Sequence, residues 1–245
     1  MNAFLKHLWI QFKMDIREKG TLLTYYLLPL VFYFVVGAVF SSVNPSSKQT
    51  LAASMVIFAV TMGAIIGMPL PIVKMRESEV LRAYRVYGIP GWAVLLVHAV
   101  SAFLHLLIVS LVILVTAPII FGANYPVSYP AFFAILFALL FNGICIGLLI
   151  GVMARNQSSA TMLSQAVFLP TMMLGGIMFP SSMLPEALKM VGLILPASHV
   201  MQAFSGFAFG LPVDMDPALS LLIAAGIGII AVVLTVVKYK SSIKI

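Results

Sequence analysis

Apolar residues run in blocks of about twenty along this chain, separated by short polar breaks. Blocks of that length match the hydrocarbon core of a bilayer, where helices and closed barrels are the structures that satisfy a backbone. The period-two alternation of a membrane strand is missing from the sequence, so the expected fold is all-α. The pattern predicts six spanning helices, over 21–43, 51–73, 91–121, 130–154, 159–179 and 217–237. The turn sequence Asn44-Pro45-Ser46-Ser47 closes the first. The third is long enough to tilt or to break near Pro118. Between the last two spans, 180–216 is apolar but cut by Pro180, Pro185, Pro196 and Pro212. Its pieces 185–195 and 196–209 are too short to cross and predict two short re-entrant or interfacial helices.

Two further segments carry mixed patterns. Leu5, Leu8, Trp9, Phe12 and Ile16 fall at helical spacing, with Lys6, Gln11 and Lys13 off that stripe. Residues 1–20 therefore predict an amphipathic helix lying in the membrane interface and leading into the first span. Six charges (Lys74, Arg76, Glu77, Glu79, Arg82 and Arg85) crowd into twelve residues of the 74–90 stretch. On a helical wheel Val80, Leu81, Tyr84 and Tyr87 share one side, while Ser78, Glu79, Arg82 and Arg85 share the other. Glu77 falls on the apolar side. This predicts a short amphipathic helix in water, stopped by Gly88 and Pro90. Such a face suits a pocket on a partner protein or the surface of a leaflet.

Composition sharpens the class. Of 245 residues, 62% are hydrophobic and 9% charged, with a mean hydropathy of +1.12. Soluble domains carry about 25% charged residues, so a single polytopic membrane domain over 1–245 is expected. Six spans put both termini on one side. That side receives twelve of the fourteen basic residues; the other receives Lys48 and Lys189. The termini, the 74–90 loop and Arg155 are therefore expected in the cytoplasm. The net charge of +7 thus reads as an orientation signal, with membrane lipid and no nucleic acid as the partner. Cys145 cannot form an internal disulfide, and the first residues lack a signal-peptide pattern.

The sequence offers little chemistry of its own. No Gly-x-x-x-x-Gly-Lys-Ser/Thr loop or His-Glu-x-x-His pair is present. His98 and His105 stand seven apart on one face of the third span with no carboxylate to join them, so interhelical hydrogen bonds are expected rather than a metal. All seven acidic residues fall in predicted loops or ends, against a carrier driven by protons or sodium. No catalytic, cofactor-binding or metal residues are expected. Asn156-Gln157-Ser158 is a chance sequon on the cytoplasmic side. Gly143, Gly147 and Gly151 form a doubled small-residue motif in the fourth span, with Gly63 and Gly67 in the second; packing within the subunit is favoured over a dimer seam.

With these residues on the page, the chain resembles the membrane-spanning subunits of type-2 ATP-binding-cassette (ABC) exporters. The order of elements is similar: an interfacial helix, six spans and cytoplasmic ends. "MRESEVLRAYRVYGIP" looks like the coupling helix of that family, with Arg76-Glu77 and Pro90 in place and Glu79-Val80 where a Gly-Thr is usual. "GGIMFPSSMLPEALKMVGLILPASHVMQAF" resembles its Phe-Pro, Leu-Pro, Leu-Pro stretch before the last span. The resemblance implies a permease paired with a second permease, as a homo- or heterodimer. Two copies of a separate ATPase would bind ATP and Mg. It also implies ATPase coupling through Arg76, Glu77, Leu81, Tyr84, Arg85 and Gly88, short extracellular helices capping the exit, and the bacterial inner membrane. Met172, Met173, Met178 and Met183 are candidates for the pathway, since Met adapts to varied apolar ligands. A hydrophobic or amphiphilic substrate (a drug, peptide antibiotic or lipid) fits spans without charges. The rival readings are an intramembrane lipid-modifying enzyme, for which His98, His105, Asn142, Cys145 and Gln165 are too scattered, and an immunity or accessory membrane protein.

Overall fold

The computed structural model describes residues 3–43, 45–78, 80–178 and 183–242, and every regular element among them is helical. Helix α1 (Ala3–Arg17) leads into α2 (Lys19–Ser42). A 3-10 turn, Pro45–Gln49, precedes α3 (Leu51–Glu77) and the short α4 (Val80–Val86). Then follow α5 (Gly91–Phe121), α6 (Tyr129–Met153) and α7 (Gln157–Leu174). Two short helices, α8 (Glu186–Gly192) and α9 (Pro196–Ala208), come before α10 (Pro217–Ser242).

Five of these, α2, α3, α5, α6 and α10, are long and apolar enough to cross a membrane. The span expected over 159–179 is the 18-residue α7, about 27 Å long. It is less apolar than the five because Gln157, Ser158, Ser159, Thr161, Ser164 and Gln165 fill its first half. The pieces expected over 185–209 are the α8–α9 pair, bent by 93° at their junction. The start of that region, 180–182, lies outside the described residues. Helix α5 does not break at Pro118; it runs on to Gly122, whose left-handed φ of 63° ends it. Its 31 residues extend about 46 Å, more than a bilayer core is thick, so it tilts or protrudes.

Local sequence explains the ends and bends. Asn156 and Ser159 form a reciprocal capping box on α7, and Ser128 accepts the Ala131 N–H at the start of α6. Helix α2 widens into a π turn at Leu23–Leu27, just before Pro29, and α3 does so at Met62–Gly67, before Pro69 and Pro71. A proline has no N–H to close the α ladder, and the wider turn absorbs the gap.

The hub of the bundle is α3. The most apolar window of α3 is 83% buried by the protein, against 22% for α2 and 28% for α10. The glycine motif of α6 lies against this hub. A Cβ on Gly147 would run into the Ala64 carbonyl oxygen; one on Gly143 would come within 3.2 Å of the Ala64 methyl, and one on Gly151 within 3.0 Å of Ile72. Gly143, Gly147 and Gly151 thus seat α6 on α3 of the same chain.

Candidate functional site

The charged segment after α3 is built differently from the wheel drawn across it. Helix α3 continues to Glu77, Ser78 ends it, and α4 starts at Val80. Glu77 therefore does not share a helical face with Val80, Leu81 and Tyr84. It belongs instead to a pair of side chains that grip the elbow between α6 and α7. The Arg76 guanidinium donates to the carbonyl of Val152 at 2.8 Å and to that of Ala154. These are acceptors at the C-terminal end of α6, where a helix has unsatisfied carbonyls and partial negative charge. The Glu77 carboxylate accepts from the Gln157 side-chain amide at 2.6 Å and from its backbone N–H at 3.3 Å. That is the first turn of α7, where the partial charge is positive. Adjacent residues of opposite charge thus complement the two helix ends that meet at Arg155.

Beyond this clamp, α4 stands out from the bundle. Tyr84 turns back to α1, its hydroxyl 3.4 Å from His7 Nε2. Leu81 and Arg85 lie on the same short helix. Gly88 adopts a φ of 75°, with open space around it, and lets the chain turn out of α4 into Pro90. Val86 is 79% exposed and Tyr87 83%, with the exposed Trp92 following at the start of α5. The apolar residues at the tip of the loop are thus exposed, while Tyr84 nearer its root is engaged. On the other flank, Lys74 pairs with Glu18 at 3.2 Å, joining the clamp to the start of α2.

Helix α1 corrects two expectations. Its outward face carries Leu5, Trp9, Ile10, Met14 and Ile16, but Gln11, read as a polar residue off the apolar stripe, and Asp15, read as an acidic residue in a loop or end, are buried against α5. Asp15 accepts from Gln11 at 2.7 Å and from the Ser101 hydroxyl at 2.5 Å. His105 does have a carboxylate neighbour: its Nε2 lies 3.7 Å from Asp15 Oδ2, while Nδ1 bonds the Tyr26 hydroxyl at 2.6 Å. The Phe12 ring stacks on the imidazole at 4.1 Å. Burial raises the Asp15 carboxyl above its ordinary range, opposed by the bonds from Ser101 and Gln11 and aided by the nearby Glu18. His98 instead meets the Met75 sulfur at 3.1 Å. The two histidines thus make the interhelical contacts expected of them. Among the described residues no cluster of His, Cys, Asp and Glu could hold a metal.

At the other end of α3 lies a cavity of about 820 Å³ between the ends of α2 and α7, the start of α3 and the bent pair α8–α9. Met178 and Met183 line it. Met172, 4% exposed, and Met173, 55% exposed, do not; they sit on the buried and open sides of α7. Met201 and Met215, which the sequence did not single out, are in its wall.

The profile of the ABC-2 type transporter family matches residues 3–209, from the first residue of α1 to just beyond α9. The chain belongs to that family. This ABC-2 protein is a multi-pass membrane protein and the permease component of an ABC-type transporter, a family role that implies an ABC ATPase partner. The match includes the clamp, α4 and the cavity lining up to Ser205, leaves out the lining at 211–215, and stops short of α10. Compared with curated proteins one by one, the chain matches none of them.

Proposed function

We propose that this ABC-2 permease exports a hydrophobic or amphiphilic substrate and is driven through its 74–90 loop by two copies of a separate ATPase, which hold the ATP and Mg. One observation carries the reading: a loop that is apolar and open at its tip, at Val86 and Tyr87, is fastened at its root to the elbow of α6 and α7 by Arg76 and Glu77. A push on the tip has a rigid route into two long helices besides the covalent one. In this scheme Leu81, Tyr84, Arg85 and Gly88 shape the docking helix, while Arg76 and Glu77 pass the movement on. A second permease, identical or not, completes the pathway. Helices α8 and α9 cap its exit on the far side. The surplus of basic residues at the clamp end supports both termini lying inside, and the family resemblance is what suggests the bacterial inner membrane.

The test is a cross-link. Tyr87→Cys, in an otherwise cysteine-free chain, should form an ATP-sensitive disulfide with cysteines placed on the membrane-facing surface of the co-expressed ATPase. Labelling of the same cysteine by an impermeant maleimide on intact cells would place the loop on the wrong side and overturn the proposal.

A further inference from the structure

The cavity at the far end of α3 has the size of a ligand site; pockets of about 300–1,000 Å³ enclose drug-sized molecules. Its charge is what narrows the ligand. The ionisable groups among its described lining residues are Lys189 and Asp214, and these face each other at 3.1 Å. The lining is therefore neutral, and a charged ligand would find its counter-charge already engaged. Thioethers from Met178, Met183, Met201 and Met215 supply a soft apolar wall that can follow an irregular shape.

The polar atoms have donors to spare. The Ser54 hydroxyl is engaged by no better acceptor than the Met201 sulfur, at 3.9 Å. Gln202 spends its carbonyl oxygen on the Asp214 N–H at 3.2 Å, which leaves the donor end of its amide for another acceptor. Donors beside an apolar, uncharged wall select hydroxyl, ether or carbonyl oxygens on an apolar body.

We infer that this cavity, built within one subunit, is a binding site for a net-neutral amphiphile with oxygen acceptors in its head group. The inference rests on the exporter reading for the consequence of binding, and on the cavity alone for binding itself.

The experiment uses the purified full-length chain in zwitterionic nanodiscs without any ATPase. The probe is an alkyl glycoside carrying a diazirine, with adducts mapped by mass spectrometry. Saturable adducts are expected on the peptides containing Met178 and Met201. An unlabelled glycoside should compete at least about tenfold better than an alkyl sulfate or an alkyl trimethylammonium of equal chain length, the cost of burying an unpaired charge. Met201→Trp, which fills the space, should abolish the adducts. Asp214→Asn, which releases Lys189, should move the preference toward the sulfate. Non-saturable labelling, adducts spread over the outer faces of α2 and α10, equal competition by all three head groups, or an unchanged preference in Asp214→Asn would each overturn the site. Binding that persists while an added ATPase never responds would instead sink the exporter reading and leave the site standing.

Discussion

Replacing Arg76 tests the clamp most directly. Its guanidinium serves two carbonyls at the end of α6, those of Val152 and Ala154, in residues only 5% and 1% exposed. Water cannot easily take over there. A buried acceptor left without a partner costs about 1–3 kcal/mol, so Arg76→Ala should weaken the closed elbow by about 2–4 kcal/mol once partial relaxation is allowed. That corresponds to about a 30- to 1,000-fold shift toward opening. Arg76→Lys keeps the charge but lacks the planar fork, reaches one carbonyl, and should cost about half as much. Two readouts follow the elbow: amide exchange at 155–159, and ATP hydrolysis by the partner in nanodiscs with and without the permease. Exchange should accelerate, and permease-dependent stimulation fall, in the order wild type, Arg76→Lys, Arg76→Ala, with the ATPase alone unchanged. An Arg76→Ala protein whose exchange at 155–159 matches wild type would refute the clamp, whatever its activity.

Three other outcomes are expected. Glu77→Lys puts a cation on the first turn of α7 and loses both bonds to Gln157; it should abolish permease-dependent hydrolysis while the protein still inserts, and unchanged stimulation would count against the coupling role. Gly147→Ala forces α6 away from the Ala64 carbonyl and should lower stability by about 1–3 kcal/mol, read as an earlier unfolding midpoint in mixed micelles, whereas Gly226→Ala, where a Cβ meets open space, should not. Because burial raises the Asp15 carboxyl, the docking of α1 on α5 should be strongest below the ordinary carboxylate range and weaken as pH rises through the raised value. Spin labels at Ile10 and Leu96 should report that separation, and Asp15→Asn should flatten it.

How much of this was legible depends on whether neighbours in space are neighbours in sequence. Long apolar runs announce themselves, and so does the glycine motif, because one residue type repeats along one helix. The proline-cut region gave away α8 and α9 for the same reason. The wheel over 77–87 misplaced Glu77 because Ser78 interrupts the helix, a break no periodicity reveals. The partners of Arg76 and Glu77 lie on the α6–α7 elbow, far along the chain, so their charges were visible but not their target. Asp15 looked like a solvated end residue until Ser101 and His105 arrived from α5. In the cavity, Met178 and Met183 were found by residue type, whereas Met201 and Met215 required the fold of α9 and of the loop beyond it.

The π turns of α2 and α3 lie side by side, Leu23–Leu27 against Met62–Gly67, with the Tyr25 ring over Gly63 and Gly67. Each hides one surplus amino acid relative to regular winding. Deleting that one position from either stretch would close the winding to a regular helix and leave both flanks in phase, so the facing surfaces would stay matched. The same deletion in the regular winding a turn away would swivel everything beyond it by about 100° and tear the seam apart.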